Sequence, residues 1–209
     1  MNRLAAASLL SCEDDEDDMT KFLASVGKNE TILFAGDSLI YHLLVDGGAS
    51  PTYWAKIQTL YSKYPNVIEL SVGGQTATSA NAAIDGNLQT YSQASVVTMA
   101  WGINDIAAGH STSTFSTQMQ AIIAKILARK AVPVIPTITY STVYDVTAFN
   151  AVITGTLWGI AGVRQGPDLY TMVLNNPSYL SGDGVHLSIP AGNTAAVAEW
   201  ATAFSWLYA

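Results

Sequence analysis

Thr31-Ile32-Leu33-Phe34-Ala35-Gly36-Asp37-Ser38-Leu39 is the stretch on which the reading of this chain turns. Four apolar residues, Ile32 to Ala35, are too few for a helix and suit a buried strand. Gly36 ends the run, and its missing Cβ would relieve crowding in a tight turn. Ser38 then stands where a strand of an α/β protein hands over to a helix. A serine there has its hydroxyl at the rim of the sheet, where open α/β folds bind ligands. The positive end of the following helix would favour negative charge beside it. Taken alone, Ser38 reads equally well as an ordinary N-cap serine.

Working outward, the same pattern recurs. Val67 to Val72 is expected as a strand running into Gly73-Gly74-Gln75-Thr76. Ser95 to Ala100 is a third, ending in Trp101-Gly102-Ile103-Asn104-Asp105. Val132 to Thr139 is a fourth, and a short apolar stretch near Gly162-Val163 is a candidate fifth. Between them lie helical patterns: Pro51 to Tyr64, a weakly patterned one over Thr78 to Ile84, Thr114 to Lys130 and Val146 to about Ile160. Val173 to Gly184 reads as loop, and Pro190 to Leu207 as a closing Ala-rich helix. Strand and helix alternate about five times, which argues for a parallel sheet between helices. No internal repeat is found. A leader or linker, residues 1–30, is expected before one domain over 31–209.

Composition narrows the function. The chain has 209 residues, enough for one well-buried core and short for two. Its net charge is −7, but the run Glu13 to Asp18 supplies six of the sixteen acids. The remaining ten acids face nine bases, so the body is nearly neutral. Scattered Lys and Arg give no footprint for nucleic acid, and that class of partner is rejected. The acidic run lacks the spaced ligands and turn glycine of a calcium loop and reads as a solvated charge run. The single cysteine, Cys12, excludes an internal disulfide and a multi-cysteine metal site. The uncharged run between Asp145 and Arg164 is long enough to cross a bilayer but too polar, so no transmembrane segment is expected. The N-terminal stretch is shorter than a usual signal peptide. The compartment therefore stays open, with an extracytoplasmic or virion-associated setting slightly favoured.

A serine nucleophile needs a base to take its proton and an acid to orient that base. Of the three histidines, His42 lies a turn after Ser38 and would point away; His110 sits in a Gly-Ser-Thr loop and reads as exposed. His186 has Asp183 three residues before it, so one loop can offer a carboxylate to one ring nitrogen while the other faces Ser38. As an isolated pair, Asp183 and His186 read more readily as a turn acid and a surface imidazole.

Gly36-Asp37-Ser38-Leu39, Gly74, Gly102-Ile103-Asn104-Asp105 and Asp183-Gly184-Val185-His186 occur in this order, three of the blocks directly after strands. Together they resemble the SGNH hydrolase superfamily, the GDSL esterases and lipases, over about Thr31 to Ala209. The resemblance implies a three-layer, flavodoxin-like α/β/α sandwich with a five-stranded parallel sheet. It implies Ser38 as nucleophile, His186 as general base and acid, and Asp183 as orienting carboxylate. The Ser38 amide, the Gly74 amide and the Asn104 side chain would form the oxyanion hole. Asp37 and Asp105 would be structural hydrogen-bonding residues. Ser71 stands near a place where the family often has asparagine, which makes Gly74 over Gly73 a matter of judgement.

The expected activity is thus cleavage of short-chain carboxylic esters, acetyl above all, through an acyl-serine, with no metal or organic cofactor. Two alternatives stay open. One is a carbohydrate O-acetyl esterase or acyltransferase, with aromatics such as Tyr41, Tyr53, Trp54, Trp101, Tyr140 and Tyr144 as stacking platforms. The other is a non-catalytic binding or structural module that keeps the fold. The expected partner is a small ester or an acetylated carbohydrate, and the oligomeric state is undetermined.

Overall fold

Two sets of side chains, one on each face of a single sheet, organise the molecule. A computed structural model describes residues 31–40 and 67–208. The leader, the helix expected over 51–64, His42, Tyr41, Tyr53 and Trp54 lie outside the described residues. Five parallel strands form the sheet: β1 (Thr31–Phe34), β2 (Val67–Glu69), β3 (Ala94–Thr98), β4 (Val132–Ile135) and β5 (Arg164–Gln165), in the order β2-β1-β3-β4-β5. The order reverses direction between β1 and β3, the crevice where open α/β sheets bind ligands.

Side chains alternate across a strand, and the core divides accordingly. Leu33 and Val97 point to one face, with Met99 beyond β3 on the same side. There they meet α1 (Ala77–Thr90) through Ile84 and Leu88, α3 (Thr112–Ala128) through Phe115, Met119 and Ile122, and α4 (Thr147–Gly155) through Phe149 and Ile153. Ile32, Phe34, Val96, Val132 and Val134 point the other way, onto α5 (Leu169–Asn175) and α6 (Ala191–Ala203). Trp200 of α6 and Phe204 lie edge-on to Phe34, with centroids 5.4 and 5.8 Å away. The short α2 (Ile103–Ala107) follows β3, and a further helix begins at Ser38.

The strands are shorter than expected at their carboxyl ends, because the chain leaves the sheet early to build the site. β2 stops at Glu69 rather than Val72, and β4 at Ile135 rather than Thr139. β5 begins two residues beyond Gly162 and pairs for only two residues. The first helix after β2 runs to Thr90, well past Ile84. It is entered through a capping box in which Thr76 accepts from the Ser79 amide and donates its own amide to the Ser79 hydroxyl. The segment expected as loop from Val173 overlaps α5, whose N-cap Asp168 accepts from the Thr171 amide. Among the described residues no helix is long and apolar enough to cross a membrane.

Candidate active site

The Gly36-Asp37-Ser38 turn is wedged between the ends of β1 and β3. The Asp37 amide donates to Ala100 O at 3.1 Å, and the Ala100 amide to Ala35 O at 3.2 Å. A Cβ on Gly36 would lie 2.6 Å from Ile40 Cγ1 and 2.9 Å from Ala100 O, so only glycine fits there. Asp37, almost wholly buried, accepts from the Leu39 amide at 2.9 Å. Ser38, half-buried between them, opens the next helix.

Ser38 Oγ lies 3.0 Å from Nε2 of His186, and His186 Nδ1 lies 2.7 Å from Asp183 Oδ2. The other oxygen of Asp183 accepts from Ser181 Oγ at 2.6 Å and from the Val185 and His186 amides at 2.8 and 2.9 Å. Partial burial pushes this carboxyl up, but the bonds from Ser181, His186 and Val185 outweigh it and hold Asp183 far below the ordinary carboxylate range. An ionised carboxylate only accepts, so the proton sits on Nδ1 and the Nε2 lone pair faces the serine. The three residues, from opposite ends of the sequence, form one hydrogen-bonded row.

The loop after β2 joins the same edge. The Val72 amide donates to Gly36 O at 3.0 Å, and Gly74 is exposed with φ +76°. Asn104 Nδ2 directs its two hydrogens at Gln75 O, 3.2 Å away, and Asp37 Oδ2, 3.3 Å away. Gln75 is held in turn by Trp101 Nε1, which donates to its side-chain oxygen at 2.9 Å. Ser71 gives its amide and its hydroxyl to Glu69 Oε1.

Two further aspartates are buried beside the site. Desolvation raises Asp37 to about 7 against the lowering bond from the Leu39 amide, and the charge of Asp105 pushes the same way as burial. Asp105 is fully buried, and one oxygen accepts from the Ala77 amide at 2.9 Å, at the start of α1. The other meets His110 Nδ1 at 3.0 Å. His110 therefore pairs with Asp105 and is half-buried, where the sequence suggested an exposed loop imidazole. Asp105 pins the helix that directly follows the Gly74-Gln75 turn, so it positions that turn from behind.

Gly102 sets the course of the Asn104 loop. Its φ is +139°, and a Cβ would lie 2.3 Å from Ile138 Cδ1. Gly102→Ala is expected to cost about 1–3 kcal/mol through strain and overpacking, read as a lowered urea midpoint with an unchanged slope. Ser181 and His110 act through Asp183 and Asp105, two and five residues away, and Gln75 through Trp101 across the fold, pairings that no motif announces. Among the described residues no group of three or more His, Cys, Asp or Glu side chains could hold a metal ion.

The sequence model of the GDSL-like Lipase/Acylhydrolase family matches residues 34–189. No match was found among curated proteins. Among solved structures, TesA shares 18% identity at a TM-score of 0.71, covering 85% of this chain and 99% of its own. Axe2, an acetylxylan esterase from Geobacillus stearothermophilus, shares 17% at 0.70, covering 87% and 98%. The acetyl xylan esterase AlAXEase shares 19% at 0.69, covering 83% and 98%. At such identities these structures speak for the fold, and the match over 34–189 speaks for the family. The chain belongs to the GDSL-like lipase/acylhydrolase family, the SGNH hydrolases, and is a carboxylic ester hydrolase.

Proposed function

We propose that the protein cleaves short-chain carboxylic esters, acetyl esters first, through an acyl-enzyme on Ser38. The observation that carries this is the row Ser38 Oγ, His186 Nε2, His186 Nδ1, Asp183 Oδ2, with links of 3.0 and 2.7 Å. His186 takes the serine proton as Oγ attacks the carbonyl carbon, and Asp183 stabilises the imidazolium that forms. The same imidazolium then protonates the leaving alkoxide as the carbon–oxygen bond breaks. In the second half His186 deprotonates a water, which attacks the acyl-serine and releases the acid. The short acyl group is supported by the fold's likeness to Axe2 and AlAXEase, both acetyl xylan esterases.

The carbonyl oxygen gains charge in both halves and needs donors aimed at it. The Ser38 and Gly74 amides and Asn104 Nδ2 are the proposed ones. The two Asn104 contacts are long, at 3.2 and 3.3 Å, so an Nδ2 hydrogen can turn from them toward the oxyanion. Asn104→Ala is expected to lower kcat by about 10²–10³ with a smaller change in KM. An unchanged kcat for acetate esters in that variant would remove Asn104 from the oxyanion hole.

A fluorophosphonate probe tests the reading directly. The wild-type protein should be labelled on the peptide carrying Ser38 and should hydrolyse esters of two carbons faster than those of eight to twelve. No labelling would favour the non-catalytic module, and a preference for long chains would overturn the short-acyl assignment.

A further inference from the structure

We infer that the pocket walled by Tyr140, Tyr144 and Tyr170 receives the alcohol half of the substrate, and that this half is a sugar. The inference rests on the proposal that Ser38 and His186 carry out acyl transfer. Residues 140–147 and Tyr170 enclose an open pocket of about 360 Å³. That lies within the range of small-molecule sites, about 300–1,000 Å³.

The pocket wall is fastened to the triad loop. Ser141 Oγ and the Thr142 amide both donate to Gly184 O, at 2.7 and 3.0 Å. Ser141 Oγ also accepts from the Val143 and Tyr144 amides. Gly184 sits tight against this wall: a Cβ there would lie 2.2 Å from Thr142 Oγ1 and 3.1 Å from Val143 Cγ2. Pocket and triad loop therefore share one rigid backbone contact, one residue from Asp183 and two from His186.

Reaction geometry assigns the half of the substrate that enters. The leaving oxygen must lie near His186 Nε2 to be protonated, while the carbonyl oxygen turns toward the Gly74 and Asn104 donors. Those donors follow β2 and β3, on either side of β1. The pocket is built from the segments that follow β4 and β5, on the far side of β3 and against the triad loop. The alcohol half is the one that faces it.

The lining selects the alcohol. Tyr140 and Tyr170 are locked edge to face, 6.0 Å between centroids, so their rings are preorganised. Tyrosine offers an apolar face and a hydroxyl, which matches a ring that alternates C–H patches with hydroxyls. Asp145 is exposed at the mouth, and the hydroxyl and amide of Thr147 hold it below the ordinary carboxylate range. It is a ready acceptor for substrate hydroxyls and repels anionic alcohols. A fatty alcohol would strip water from these polar groups without replacing it.

The test compares substrates that share the acetyl group and differ in the alcohol: ethyl acetate against acetylated xylo-, manno- and gluco-oligosaccharides. The wild-type enzyme should release acetate from at least one of the glycans. Tyr144→Ala, and Thr147→Trp placed to fill the pocket from the first turn of α4, should each lose about tenfold or more in kcat/KM on that glycan. The loss should fall mainly in KM, with less than about threefold on ethyl acetate. Equal losses on both substrates, no loss on the glycan, or a wild-type enzyme that cleaves ethyl acetate but none of the glycans would each overturn the sugar subsite. Fluorophosphonate labelling at Ser38 separates these outcomes from failure of the acyl-transfer reading, which would leave the serine unlabelled and ethyl acetate intact.

Discussion

Ser38→Ala is expected to lower kcat for acetate esters by about 10⁴–10⁶ while leaving the urea midpoint within about 0.5 kcal/mol of wild type. The large factor follows from the connected row, in which the proposed nucleophile, base and orienting acid would act as one unit. Half-buried Ser38 makes its side-chain contact with His186, so losing the hydroxyl opens no core cavity. His186→Ala should cost a similar factor, and the double variant little more than either alone, because each change removes the same pathway. Asp183→Asn should cost about 10⁴, since an amide can no longer hold the proton on Nδ1. A double variant whose losses multiply, or a Ser38→Ala enzyme with more than a tenth of wild-type kcat, would break the unit apart.

How much of this was legible in the sequence depends on the range of the cause. Runs such as Ile32–Ala35 and Ser95–Ala100 announce buried parallel strands because both faces are covered, and the two core clusters divide on the period-2 alternation those runs contain. Glycine-ended blocks sit at strand ends because the chain must leave the sheet there, which brought Ser38, Gly74 and Asn104 to one edge. Helix α5 was hidden by its surroundings, Pro167 before it and Asn175-Asn176-Pro177 after it, which read as turn chemistry although Leu169 and Val173 are buried. The pairing of His110 with Asp105 is not legible because Asp105 is reached only through the fold of the loop that joins them. Gln75 depends on Trp101, a neighbour set by tertiary structure, and the grouping of Tyr140, Tyr144 and Tyr170 into one pocket does so too, whereas Ser181 reaches Asp183 from two residues away through a loop conformation that no motif announces.

Stability is expected to fall as pH rises from 5 to 8, opposite to the trend that paired surface carboxylates impose. The cause is Asp37, whose carboxyl is raised by burial from 3.8 to about 7. Between these values the folded protein holds a proton that the unfolded chain has released, so the unfolded state binds fewer protons and stability drops with pH. The full swing is about 4 kcal/mol, of which about 3 kcal/mol lies between pH 5 and 8. Asp183 has the opposite sign: its lowered carboxyl stabilises the fold above pH 4, and that contribution fades only on further acidification, below the window. Asp37→Asn should flatten the profile between pH 5 and 8. It would also leave either the Leu39 amide or Asn104 Nδ2 facing an amide nitrogen, which cannot accept, whereas both oxygens of the neutral carboxyl can. The variant should therefore cross the wild-type curve, less stable at pH 5 and closer to it, or above it, at pH 8. Urea titrations of both proteins at the two pH values check this, and equal pH slopes would show that Asp37 is ionised in the fold throughout.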